Sequence, residues 1–471
     1  MAAPHVQVVV DPARVVAELT SSQIRALTGL LPPGRVWLER ALRETYGGDE
    51  SPVFPATPAA VVFVENTREV AAVMQLADRE RIPVTPRGAG SGKVGGAIPL
   101  YGGIVLALER MNRLMEIDVA NRFARVEPGV ITGTLRNEAE RAGLYYPVDP
   151  NSLDWCSLGG NVAANAAGPS SMKYGVTRDH LLGLEAVLAD GTILRVGRQT
   201  TKCSTGYDLS SLLCGSEGTL AIITEITLKL RARPQAVRTL FATFPASEDA
   251  VGALTDLYRA GIVPVAAEFF DRHALAAMAS ALPVREGAQA GLLFELDGSE
   301  VAIDESLDRL VEVLGDRARD VAVARDEAER RRLWEARKVL SIRVKERFAR
   351  YVSEDVTVPP GRLPHMVAFI EALRARTGLE ILCYGHAGDG NLHVNFLYQE
   401  RAQHLEVEAA VEQLFRHVVA LGGTLSGEHG IGASKRRFLS IEQSNVQIAL
   451  QLRLKASFDP HGILNPGKVF P

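Results

Sequence analysis

The chain has 471 residues, 46% hydrophobic and 23% charged, with a formal net charge of −4. That size predicts two or three domains whose cores fold without disulfides or a structural metal. The near-neutral balance gives no reason to expect nucleic acid or an anionic membrane as a partner.

Residues 1–55 read as a helical lead-in, closed by the proline-spaced segment Pro52-Val-Phe-Pro55-Ala-Thr-Pro58. Residues 61–64 form a short apolar strand, and a helix follows with Thr67 as its cap and Val70, Val73, Met74 and Ala77 on one face. Residues 82–85 are the next strand and run directly into a glycine-rich turn, so the chain opens as an α/β unit. Further strands are expected at 104–108, 114–119 and 123–126, a helix at 131–142, and a hairpin from 184 to 196 around Asp190-Gly191. A long strand runs through 220–230, and residues 231–234 break the pattern, marking a domain boundary near Pro234. Beyond it, helices at 248–259, 304–314, 327–348 and 363–374 alternate with strands at 263–270, 291–296, 351–358, 379–384 and 392–397. Cys156, Cys203, Cys214 and Cys383 are scattered without C-x-x-C pairs, which argues against a disulfide framework or an iron–sulfur cluster. No apolar run reaches the roughly 18 residues of a spanning helix. A cytoplasmic protein is expected, with docking to a membrane redox partner left open.

The turn Pro86-Arg87-Gly88-Ala89-Gly90-Ser91-Gly92 joins two strands, and its glycines let successive N–H groups approach an anion. It lacks the later glycine of the Rossmann fingerprint, so a nicotinamide dinucleotide domain is disfavoured. A second tract, Ser157-Leu-Gly159-Gly160-Asn161-Val-Ala-Ala-Asn165-Ala-Ala-Gly168, follows Tyr146-Pro-Val-Asp149-Pro150. A third reads Thr205-Gly-Tyr207-Asp208-Leu and then Gly215-Ser-Glu217-Gly218-Thr-Leu. Three such tracts can surround one extended cofactor.

In this order the segments resemble the FAD-binding domain of the vanillyl-alcohol oxidase/p-cresol methylhydroxylase superfamily. The resemblance covers residues 52–471 and is nearest to the glycolate oxidase D-subunit, D-lactate dehydrogenase and D-2-hydroxyglutarate dehydrogenase branch. It implies an α+β fold: a two-subdomain FAD-binding domain at 56–233, an α+β substrate (cap) domain at 234–425, and a segment at 426–471 returning to the FAD domain. It implies that Pro86, Arg87, Gly88, Ala89, Gly90, Ser91 and Gly92 hold the pyrophosphate, with Asp149, Pro150, Gly159, Gly160, Asn161 and Gly168 along the cofactor. Gly218 and Ile223 are expected near the adenosine end, and Asn465, in the turn-rich ending, near the isoalloxazine. Some relatives attach FAD through a histidine in or near the first loop. Residues 86–96 hold neither histidine nor cysteine, so non-covalent FAD is expected, with Cys156 alone keeping the question open.

Three of the ten histidines fall in two glycine-framed segments, Gly385-His386-Ala-Gly388-Asp389-Gly390-Asn391-Leu-His393-Val-Asn395 and Ser426-Gly427-Glu428-His429-Gly430-Ile-Gly432. If 392–397 is a strand, His393 and Asn395 share a face, and His386 on the loop before it can converge on His393. With Glu428 they make two imidazoles and a carboxylate, a set suited to zinc or another divalent transition ion, although H-x6-H is not itself a standard zinc spacing. In the related dehydrogenases the residues matching His386, His393 and Glu428 hold the ion, and the one matching His429 is the base. The resemblance thus implies a 2-hydroxy acid that chelates the ion, loses its hydroxyl proton to His429 and passes a hydride to the flavin.

Arg337 lies in Trp334-Glu-Ala-Arg337-Lys338, on an arginine-rich helix that composition alone reads as a solvated face. The resemblance instead makes Arg337 the clamp for the substrate carboxylate, with Ser341 one turn on, and sets Asn395 and His429 beside the substrate. Relatives acting on hydroxyglutarate carry a lysine just before the strand aspartate, where this chain reads Tyr351-Val-Ser353-Glu354-Asp355. A short monocarboxylic acid such as D-lactate or glycolate is therefore expected. The alternatives are a 2-hydroxyglutarate dehydrogenase, a flavin-dependent transferase of the alkyl-glycerone-phosphate synthase type, and a catalytically silent subunit of a redox complex. The electron acceptor is not legible, and both a homodimer and a redox-complex subunit are open.

Overall fold

The computed structural model describes residues 8, 10–278, 282–347 and 350–471. They divide into two compact units: the first runs to Ala167 and includes Val176–Arg233 and Glu428–Pro471, and the second comprises Gly168–Gly175 and Pro234–Gly427. No helix among the described residues is long and apolar enough to cross a membrane.

In the first unit, β1 (Val36–Trp37), β2 (Ala60–Phe63), β3 (Val84–Arg87) and β4 (Ile104–Ala107) form a sheet in the order β1-β2-β4-β3. β2, β4 and β3 are parallel, and helix α1 (Thr67–Glu80) makes the crossover from β2 to β3. Val70, Val73, Met74 and Ala77 of α1 are all buried on this sheet's core, as their 3.6-residue spacing requires. The cap is Asn66, not Thr67: Asn66 Oδ1 accepts the Glu69 N–H at 3.0 Å, while the Thr67 hydroxyl donates to Glu185 at 2.6 Å. Residues before 56 are not a separate body, since Leu19, Leu27 and Leu31 belong to this same core. β3 also runs further than expected, so Pro86 and Arg87 end a strand and the turn begins at Gly88. Proline is admitted there because β3 is the edge of the sheet.

The second sheet of this unit is antiparallel. It contains β5 (Leu114–Asp118), β6 (Phe123–Val126), β7 (Leu181–Val187), β8 (Ile193–Gly197) and β9 (Ile222–Lys229), in the order β5-β6-β9-β7-β8. Helices α2 (Thr132–Arg141) and α3 (Leu158–Ala164) bury Leu135, Ala139, Leu158 and Val162 against it.

Residues 168–175, expected inside the 56–233 domain, belong instead to the second unit. The reason is local. Tyr174 Oη donates to Asp297 Oδ2 at 2.5 Å, the Lys173 ammonium pairs with the same carboxylate, and Met172 fills the space that a side chain at Gly388 would need.

The second unit is built on a seven-stranded antiparallel sheet: β10 (Ala236–Phe244), β11 (Ala266–Asp271), β12 (Ala290–Gly298), β13 (Asp320–Val323), β14 (Arg350–Thr357), β15 (Glu380–Gly385) and β16 (Asn391–Tyr398). Their order is β13-β10-β12-β11-β15-β16-β14. β10 is absent from the sequence reading because its last six residues are all buried, which removes the alternation that marks a half-exposed strand. Helices α4 (Ser247–Arg259), α5 (Ile303–Leu314) and α7 (Leu363–Thr377) flank the sheet's strands along the chain, and α6 (Glu327–Arg347) lays Leu333, Ala336 and Leu340 on Phe241, Phe270, Leu293, Leu382, Tyr384 and Leu397. Phe270 is fully buried in that cluster. Phe270→Ala is expected to destabilise the protein by about 3–5 kcal/mol, seen as a lower urea midpoint.

Candidate active site

The sheet face beneath α6 carries a polar row beside its apolar cluster. Residues directly opposite one another on paired strands share a face, and the register sets Tyr384 and Asp355 on either side of His393, with Leu382 and Ser353 on either side of Asn395. Glu268, on β11, lies opposite Leu293 of the α6-facing cluster and so joins this row. The spacing Leu333, Ala336, Leu340 turns the adjacent Arg337 toward the sheet. Arg337 is only 6% exposed, so it lies on the buried side of the helix and not on its solvated face.

Glu268 is the residue of this candidate site missed in the sequence reading. Its Oε2 accepts from Arg337 Nε at 2.5 Å, and its Oε1 stands 2.5 Å from His386 Nδ1. The Arg337 guanidinium also lies over the Tyr384 ring, 4.9 Å from its centroid. Burial by itself raises a carboxyl, but His386 and Arg337, through charge and hydrogen bonds in the metal-free site, outweigh it and hold Glu268 low. The available signal was a single acid inside the apolar run Ala266-Ala-Glu268-Phe-Phe270: a charge there has to be paired.

His386 follows Gly385 at the end of β15, and its ring meets that of His393 edge-on at 5.3 Å. Single donor atoms of His386, His393 and Glu428 lie within 4.8 Å of one another. Two imidazoles and a carboxylate are a donor set for a divalent transition ion. The fit is supported on the far side of His386: a carboxylate on Nδ1 holds the proton there and leaves Nε2 as the ligating nitrogen. The segment leading to Glu428 is held by Asp355, which accepts from Asn391 Nδ2 at 2.5 Å and from Ser426 Oγ at 3.0 Å. Gly427 has to be glycine, because a Cβ there would strike the Asn391 amide and the Thr357 hydroxyl. His429 Nε2 lies 3.8 Å from Glu428 Oε1. Asn395 is buried and donates to the carbonyls of Leu382 and His393, so its amide nitrogen is engaged by the sheet. Ser341 lies on α6, but its side chain falls outside the described residues.

In the first unit the glycine tracts converge. A Cβ at Gly88 would collide with the Ser157 hydroxyl and stand 3.7 Å from Gly160 N. A Cβ at Gly159 would stand 2.5 Å from Pro128, and one at Gly218 would stand 2.7 Å from Pro86. Among the described residues, the N–H groups of Gly88, Ala89, Gly90, Ser91 and Gly92 donate to no protein acceptor. Asn465 joins the same region: its Nδ2 donates to the carbonyls of Gly96 and Glu217 at 3.1 and 2.8 Å, and its buried Oδ1 has no hydrogen-bond partner. A run of N–H donors and a buried orphan acceptor fit a pyrophosphate and a flavin ring. The Arg87 guanidinium donates to the Gly48 carbonyl, lies over Tyr46 and stands against Gly90 of the turn, where a Cβ would collide with it. Asp149 pairs with Arg136 at 3.7 Å, and the Pro150 carbonyl caps the turn at Leu153. Asn161 is buried and donates to Thr132, while Ile223 lies in the core of the second sheet. Gly168 belongs to the second unit.

The model of an FAD binding domain matches residues 58–197, and the model of the C-terminal domain of FAD linked oxidases matches residues 233–469. The glycolate oxidase subunit GlcD of Bacillus subtilis (strain 168) is 37% identical over 434 residues, covering 91% of this chain and 92% of that protein. The chain belongs to the FAD-linked oxidase family. As a member of it, the protein is an FAD-dependent oxidoreductase. D-lactate dehydrogenase of Anaerostipes hadrus is 34% identical to this FAD-linked oxidase over 453 residues, covering 93% and 95% of the two chains. Among solved structures, p-cresol methylhydroxylase with substrate bound superposes with a TM-score of 0.80 at 17% identity, covering 97% of this chain and 98% of that one. An alkyldihydroxyacetonephosphate synthase does so with a TM-score of 0.76 at 19% identity, covering 98% and 88%. These two likenesses establish the fold. Within it, Glu268→Ala is expected to break the buried ion pair with Arg337 and to cost about 3–5 kcal/mol, measured as a fall in the urea midpoint.

Proposed function

We propose that this FAD-linked oxidase is a dehydrogenase of a small 2-hydroxy monocarboxylic acid, D-lactate or glycolate, which it converts to the 2-oxo acid. The observation that carries the reading is the joining of an inward-facing arginine and a metal-capable imidazole through one buried carboxylate, Glu268. The names of the relatives, a glycolate oxidase subunit and a D-lactate dehydrogenase, support the same substrate class. The synthase likeness extends to the fold alone, so the transferase reading has no observation in its favour.

FAD, when bound without a covalent link, supplies the two-electron acceptor, and a divalent ion such as zinc, when held by His386, His393 and Glu428, supplies a Lewis acid for the substrate hydroxyl. Arg337 binds the substrate carboxylate, its guanidinium oriented by Glu268 and by the Tyr384 ring. His429 takes the hydroxyl proton, a step suited to an imidazole. The sheet register supports a short substrate. The residues opposite His393 and Asn395 on β14 are Asp355 and Ser353, and neither offers a cation to a second carboxylate. The N–H groups of residues 88–92 would hold the FAD pyrophosphate, and the Asn465 Oδ1 would be available to the flavin ring.

Anaerobic mixing with D-lactate or glycolate is expected to bleach the flavin, and failure of both acids to do so would overturn the reading. His429→Ala is expected to slow that bleaching by about 100- to 10,000-fold. Exhaustive removal of divalent metal should abolish the bleaching, and zinc should restore it. Bleaching that continues undiminished in metal-free protein would refute the assignment of His386, His393 and Glu428.

A further inference from the structure

The third glycine-bearing segment, Gly215-Ser-Glu217-Gly218-Thr-Leu, contains a carboxylate that the reaction as described does not use. Glu217 belongs to the first unit, as does the turn that carries His429. Its Oε1 accepts the Ile431 N–H and its Oε2 accepts the Gly432 N–H, both at 2.8 Å. Its own N–H donates to the Ala163 carbonyl at the end of α3, and its carbonyl accepts from Asn465 Nδ2, both again at 2.8 Å. One residue thus ties the second glycine tract, the turn after His429 and the Asn465 turn together.

Two features of the backbone show that this arrangement is built rather than incidental. Glu217 sits at φ +52°, a left-handed conformation that a non-glycine residue holds only where surrounding bonds over-determine it. Gly430, next to His429, has φ +85°, and a Cβ there would stand 2.8 Å from Glu217 Oε1. The carboxylate therefore occupies the space beside the turn that carries the base. Only a side chain with two acceptor oxygens at that reach satisfies both N–H groups: a glutamine would set an N–H against one of them, and an aspartate is one methylene shorter. Burial pushes the Glu217 carboxyl up, and the Ile431 and Gly432 N–H groups and the charges of Lys468 and Lys435, both buried, act against that rise.

We propose that Glu217 is the positioning residue for the catalytic base, holding the turn that carries His429 in register with the flavin-binding segments. The proposal rests on the reading of His429 as base. The test compares holoenzyme of the wild type, Glu217→Gln, Gly430→Ala and His429→Ala, each assayed for FAD content and for anaerobic flavin reduction by D-lactate and by glycolate. Glu217→Gln is expected to retain FAD and to be reduced by dithionite like the wild type. Its limiting rate of reduction by the acid should fall about 100-fold, the scale of a base displaced by about 1 Å, while the concentration giving half that rate changes little. Gly430→Ala, which leaves Glu217 in the chain but drives its carboxylate away, should show the same split. A purely structural role would lower stability and leave the rate per bound flavin unchanged, and that result overturns the proposal. If His429→Ala is slow while Glu217→Gln matches the wild type, the proposal fails and the functional reading stands. If neither acid reduces the wild-type flavin, or His429→Ala is as fast as the wild type, the functional reading fails and takes the proposal with it. Should Glu217→Gln lose FAD, Gly430→Ala decides: slow reduction with FAD retained supports the proposal, and wild-type speed or loss of FAD overturns it.

Discussion

A carboxylate with no solvent exposure persists only if its charge is answered, and Glu268 is answered twice, by Arg337 and by His386. Much of the second unit follows from meeting that requirement. The helix that carries Arg337 has to press its apolar residues on the sheet so that the guanidinium arrives at β11. β15 has to end at Gly385 so that the imidazole of His386 reaches the other oxygen. The same ion pair that stabilises this packing also fixes the orientation of the Arg337 guanidinium and of the His386 imidazole.

The first unit answers a different requirement, access of the backbone to a polyanion. Its glycines are not interchangeable permissive positions. Gly88 is small because Ser157 is against it, Gly159 because Pro128 is against it, and Gly218 because Pro86 is against it. Packing the tracts this closely leaves five consecutive N–H groups without protein partners among the described residues, which is the condition for binding phosphate through the main chain. The buried side-chain oxygen of Asn465, at φ +44°, belongs to the same design.

The chemistry of the candidate site was legible where residue type and local spacing suffice. The segment from Gly385 to Asn395 predicted a loop and then a strand with His393 and Asn395 on one face, and β16 has that form. The family relationship, and with it the flavin, followed from motifs that can be read along the chain. Glu268 was not legible as a partner, because its two ligands lie 69 and 118 residues away. Nor could composition say that Arg337 faces inward on an arginine-rich helix, since that depends on which side of α6 finds a sheet. The excursion of residues 168–175 was hidden for the same reason: its anchor, Asp297, is more than 120 residues distant.

By itself the sequence determined the cofactor class and pointed to the glycine turns and to the imidazoles of one short segment, because those motifs are read from residues close together in the chain. Only the tertiary structure decided which carboxylates complete them. A buried charge is stabilised by whatever the fold brings within hydrogen-bond reach. Glu268 and Glu217, one an isolated acid in an apolar strand and the other a polar residue between two glycines, acquire their roles from partners that no local pattern names.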